Sequence, residues 1–171
     1  MKFRVNIVIL VALLTLLSAT GCHGDSSVSD FPQTCLEEGI KFKNNNLLLN
    51  EGSSSKQSLY LFHNISDKNF WLNHPVTKDP GASAGWASNL SPGNWSALAM
   101  DGAAIKIENF EITCSIIGDG KVDYLDCKNV MKVCRFKEPV FNSENSGSFW
   151  VAENKPLNNL LEAIKSRGIS W

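Results

Sequence analysis

Hydrophobic positions in this chain come mostly in short runs separated by turn residues, and two stretches depart from that rhythm. Ser58 to Asn64 reads SLYLFHN, with Leu59 and Leu61 on one face and Tyr60 and Phe62 on the other. Apolar side chains on both faces predict a strand buried from both sides. Asn69 to His74, Gly85 to Leu90 and Trp95 to Met100 are further extended pieces, the last two divided by the turn Ser91-Pro92-Gly93-Asn94. Phe110, Ile112, Cys114 and Ile116 alternate with Glu111, Thr113 and Ser115, the period of a half-buried strand. Gly118-Asp119-Gly120 is a hairpin signal, and Val122 to Leu125 returns beside that strand. Val130 to Phe136 and Ser148 to Val151 supply two more strands. Strands and turns at this spacing predict an all-β fold, an antiparallel sandwich or barrel.

The first departure is a helical period near the C-terminus. Leu157, Leu160, Leu161 and Ile164 fall on one helical face, Pro156 stands in the first turn and Gly168 follows the last, so an amphipathic helix is predicted over 156–167. The second is the N-terminus, where Lys2 and Arg4 precede an apolar run, Val5 to Leu17, broken by Asn6 and Thr15. That run falls short of the ~20 residues a membrane-spanning helix needs. Small residues Ser18 to Gly21 follow it, so residues 1–21 read as an export signal. Ala19-Thr20-Gly21-Cys22 resembles a bacterial lipobox, although Ala19 stands where Leu is usual and ordinary signal peptidase would also accept the site. Residues 22–57 read as a lipidated Cys22 with a polar, weakly ordered tether, Asn44–Asn46 and Gly52–Ser55 being its expected mobile points; the β-domain spans 58–171.

Cysteine usage sharpens this picture. Five Cys is an odd number for an oxidising compartment, and assigning Cys22 to lipid leaves the even set Cys35, Cys114, Cys127 and Cys134. These four predict two disulfides, with Cys114–Cys134 and Cys35–Cys127 the preferred of three pairings. No C-x-x-C pair and no downstream His accompany them, so no metal is expected there. Without the leader the chain carries 14 basic and 17 acidic side chains, which gives a nucleic-acid backbone nothing to hold.

Catalytic patterns are sparse. Gly81-Ala82-Ser83-Ala84-Gly85 matches the nucleophile-elbow text, yet no helical pattern follows it and no His lies beyond His74. His63 and His74 lack the free thiolate a copper site would want, and Asp119, Asp123 and Asp126 lack calcium-loop spacing. No cofactor and no enzyme activity are expected. Asn64-Ile65-Ser66 and Asn94-Trp95-Ser96 are glycosylation sequons by pattern, without meaning in a bacterial host. Five Trp is a high count, and core packing is the ordinary fate of such rings. Loops on a rigid sandwich nevertheless collect binding residues, and Trp71, His74, Trp86 and Trp95 surround the loop from Pro75 to Gly85. These four are the candidate partner-binding residues, and the terminal Trp171 is the ring expected to be exposed.

The stretch LYLFHNISDKNFWLNHPVTKDPGASAGWASNLSPGNWSALAM, Leu59 to Met100, resembles the enhanced-entry B proteins of intracellular bacteria related to Legionella and Coxiella. The later Cys114, Cys127 and Cys134 agree with it. The resemblance implies an envelope protein connected with host-cell entry or intracellular survival, and it supplies no catalytic residues. The expectation is therefore a non-enzymatic lipoprotein on the periplasmic side or surface of the outer membrane. It would touch the membrane through its lipid alone and bind an envelope protein or glycan. The alternative is a periplasmic inhibitor of a cell-wall hydrolase, which would use the loop Ser146-Gly147-Ser148-Phe149.

Overall fold

The computed structural model describes residues 32, 35–36, 40–49, 57–74, 86–101, 110–142 and 149–171. The signal segment, Cys22 and Ser83 lie outside them, as does the segment read as a tether apart from 32, 35–36, 40–49 and 57. Strand β4 (Gln57–Asn64) is the hub of the fold. It lies between β10 (Met131–Phe136) and β7 (Trp95–Asp101), and the sheet is completed by β1 (Cys35–Leu36) beyond β10 and β12 (Phe149–Lys155) beyond β7. A second sheet runs in the order β2 (Ile40–Lys43), β3 (Asn46–Leu49), β8 (Phe110–Gly118), β5 (Phe70–His74), β6 (Trp86–Leu90). Strand β9 (Lys121–Leu125) pairs with the outer half of β8, and β11 (Val140–Phe141) pairs with β13 (Ile169–Ser170) as a separate two-stranded sheet. Every pairing is antiparallel.

Alternation along the strands divides the buried side chains into two layers. Tyr60, Phe62, Leu98, Met100, Met131 and Val133 of the first sheet meet Leu47, Leu49, Phe70, Leu72, Leu90, Phe110 and Ile112 of the second. The first sheet's other face, Leu59, Leu61, Trp95, Ala97, Ala99, Cys134 and Phe136, packs against helix α2 (Leu157–Ser166) through Leu160 and Ile164. Each face of β4 thus has its own core, which is why SLYLFHN carries large apolar residues at both parities. The helix starts after Pro156 and ends at Gly168, whose φ of 80° closes the last turn through a 2.9 Å bond from its N–H to the Lys165 carbonyl. Among the described residues no helix is long and apolar enough to cross a membrane.

Two expectations change. The sheets begin at Cys35, inside the segment read as a tether. There Asn44 and Asn45, both at positive φ (51° and 69°), turn β2 into β3 as a two-residue hairpin. The disulfides are Cys35–Cys134 and Cys114–Cys127, not the pairing preferred from sequence. Cys134 points towards α2 from the first sheet, whereas Cys114 points into the layer between the sheets, so the two cannot meet. Cys134 is instead reached from the neighbouring β1, with Cα atoms 5.5 Å apart. Cys114 is reached from the short helix α1 (Cys127–Val130), with Cα atoms 5.4 Å apart.

Candidate functional site

The second sheet has one face turned away from the core, and its composition is unusual for a solvent face. Trp71 on β5 pairs with Ser115 on β8, and Ser115 pairs with Tyr124 on β9, so these three form one row across the sheet. Strand spacing places the backbones of Trp71 and Tyr124 about 10 Å apart. Ser115 is buried between them. The next row holds Asn73 and Thr113, and Asn73 donates from Nδ2 to the Ser115 hydroxyl at 3.0 Å. On the other side Ile117 faces Val122. Tyr124 is 71% exposed, Ile117 55% and Val122 50%, and Trp71 is half-buried. Scattered exposed apolar residues need no explanation, but this group is contiguous, and contiguous apolar patches mark interaction surfaces.

Local geometry makes the patch. Asp119 and Gly120 carry positive φ (49° and 72°), the conformation of a two-residue primed turn, which fixes Gly118 opposite Lys121. That register forces Val122 opposite Ile117 and Tyr124 opposite Ser115, the parity that faces away from the Phe110, Ile112 and Cys114 side. The Cys114–Cys127 bridge ties the hairpin's base to α1, and the Cys127 N–H donates to the Asn45 carbonyl at 2.9 Å.

The candidate residues named from sequence separate on this basis. Trp71 lies on the exposed face. Trp95, 3% exposed, is core: its ring stacks on His63 with centroids 4.0 Å apart, beneath α2. His74, 5% exposed, is likewise internal; it stacks on Phe110 at 3.7 Å, and its Nδ1–H donates to the Glu111 carbonyl at 2.8 Å. Burial corrects the expectation that Trp95 and His74 face a partner. Trp86 opens β6 opposite His74, and its ring lies outside the described side chains. Trp171 is not free at the chain end, since it packs 4.7 Å from Phe136 with the Lys165 ammonium 5.4 Å from its ring. Tyr124, Val122 and Ile117 were missed from sequence, although a two-residue turn after a strand of known parity would have placed them.

A groove of about 230 Å³ lies between β2 and β10, lined by Ile40, Phe42, Lys128, Met131, Lys132 and Val133. It is smaller than typical small-molecule sites. Among the described residues no group of His, Cys, Asp or Glu could hold a metal ion. Asn64 of the first sequon is buried, and its Nδ2 donates to the Lys68 and Leu90 carbonyls at 2.8 and 2.9 Å. Residues 146–148 of the loop considered for hydrolase inhibition lie outside the described residues. The chain matches no family model, no curated protein and no solved structure.

Proposed function

We propose that this chain is an exported bacterial envelope lipoprotein, anchored through Cys22, that works without catalysis by holding a protein partner on the outer face of its second sheet. The observation that carries the reading is the contiguous exposed patch of Trp71, Ile117, Val122 and Tyr124. Aromatic anchors beside aliphatic ones suit a protein surface, because rings add contact area at low entropic cost. The resemblance of Leu59–Met100 to enhanced-entry B proteins adds a role in host-cell entry or intracellular survival. The two disulfides favour an oxidising compartment.

The test is capture of the envelope partner by the parent chain and by Tyr124→Ala and Trp71→Ala variants. Each single variant is expected to weaken capture at least about tenfold while the chain melts as before. Undiminished capture in both variants overturns the assignment of the face. Inhibition of a muramidase that survives both changes would move the function to the loop near Phe149. Mass spectrometry of the mature N-terminus should find a diacylated Cys22, and an unmodified start there removes the anchor.

A further inference from the structure

Strand β9 has a second property besides its side chains. In a two-residue hairpin the residues flanking the turn exchange both backbone hydrogen bonds, and bonded pairs recur at every second position. The bonded pairs are therefore Gly118–Lys121, Ile116–Asp123 and Cys114–Leu125. Val122 and Tyr124 occupy the alternate positions, so their N–H and C=O groups point away from β8. Among the described residues β9 has no pairing partner except β8. It is an edge strand that protrudes from the sheet, exposed from Lys121 through Tyr124.

Charged residues on an edge usually prevent pairing. Here their order has a different effect. The text Lys121-Val122-Asp123 places opposite charges symmetrically about Val122. An antiparallel copy of the same strand, related by a two-fold axis at Val122, sets Lys121 against Asp123 of the partner subunit. The same contact occurs a second time with the roles exchanged. Both contacts fall at non-hydrogen-bonded positions, where cross-strand side chains approach most closely. The register centred on Asp123 instead sets two carboxylates face to face, which is unfavourable. In the Val122 register Tyr124 lies opposite Gly120 of the partner subunit, a residue with no side chain to obstruct the ring.

We propose that two copies of this chain pair through β9, antiparallel and in the Val122 register, joining their second sheets into one continuous sheet. The interface is isologous, as a two-fold dimer requires. Its short overlap is well below the standard interface of about 1,600 Å², so the dimer forms and dissociates with concentration. Pairing does not depend on what the outer face binds, and mass alone reports it. The two patches would be placed side by side on one surface.

Analytical ultracentrifugation of the purified chain over rising concentration should show a monomer–dimer equilibrium. Lys121→Asp and Asp123→Lys should each weaken dimerisation at least about tenfold, since each sets like charges together at both contacts. The double variant Lys121→Asp/Asp123→Lys should restore it, because the swapped order is again self-complementary. Both residues are exposed, and unchanged thermal melting checks that the fold survives. Val122→Cys should give a disulfide-linked dimer above the level of the parent chain under mild oxidation, and Asp123→Cys should give less. A chain that stays monomeric at every concentration overturns the proposal. So does a double variant that fails to recover, or cross-linking stronger at 123 than at 122.

Discussion

Trp71 and Trp95 show how position within a strand, rather than residue type, separates a contact surface from a core. Trp95 sits under α2 and stacks on His63, so Trp95→Ala opens a cavity and is expected to cost about 3–5 kcal/mol, read from denaturant unfolding. Tyr124→Ala removes a side chain that is largely in water and should stay within about 0.5 kcal/mol of the parent. Asn154 is a residue whose part the sequence did not announce. It holds a φ of 49° at the irregularity in β12. Its Oδ1 accepts from the Ser91 N–H at 2.8 Å and from Asn94 Nδ2 at 3.0 Å. Its Nδ2 donates to the Ser91 hydroxyl at 3.1 Å, and its backbone N–H donates to the Ser96 hydroxyl at 3.1 Å. One side chain thus fastens the turn between β6 and β7 to β12. Asn154→Ala loses the side-chain bonds, keeping the backbone N–H bond to Ser96, and also meets the left-handed backbone, whereas Asn154→Gly loses the side-chain bonds alone. The expected cost is about 2–3 kcal/mol for Ala and less for Gly, measured by chemical denaturation.

At the scale of elements, the parts read best from sequence are those whose two faces meet different surroundings. β4 carries apolar residues at both parities because one face meets the second sheet and the other meets α2. The helix carried its own period, its Pro start and its Gly stop, and it spans Leu157–Ser166. Leu160→Ala should cost about 2–5 kcal/mol by thermal or denaturant unfolding, because Leu160 is fully buried against the first sheet. The strands of 35–49 were not legible, since Ile40 and Phe42 alternate with lysines over too few residues to distinguish an edge strand from a linker. Their pairing with the sheet is long-range, through Leu47–Leu49 against Phe110–Ile112, and no local pattern encodes it. The site was half legible. Trp71 was among the named residues, whereas the row it belongs to depends on a register set nearly fifty residues later by Asp119 and Gly120. The cysteine pairing was illegible for a related reason, since parity fixes which face a thiol is on but not which sheet its strand joins.

Across the whole molecule, the two bridges are nested: Cys35 reaches past Cys114 and Cys127 to Cys134. The inner bridge spans 13 residues and the outer one 99. Closing the outer loop therefore costs about 2 kcal/mol more chain entropy than closing the inner one. A chain delivered N-terminus first into an oxidising compartment presents Cys35 and Cys114 before the native partner of either has arrived. With Cys22 taken up by lipid, as proposed above, pairing in order of appearance gives Cys35–Cys114 and Cys127–Cys134, which the finished fold cannot accommodate because Cys35 and Cys114 belong to different sheets. Maturation then depends on thiol exchange rather than on oxidation alone. Reduced chain refolded with an oxidant but no thiol should accumulate the consecutive isomer in peptide maps, and added glutathione or a disulfide isomerase should convert it to the nested one. Complete native pairing with oxidant alone would mean that the strands assemble before any sulfur reacts. A cell making this protein in quantity would then draw on its oxidase and leave its isomerase idle.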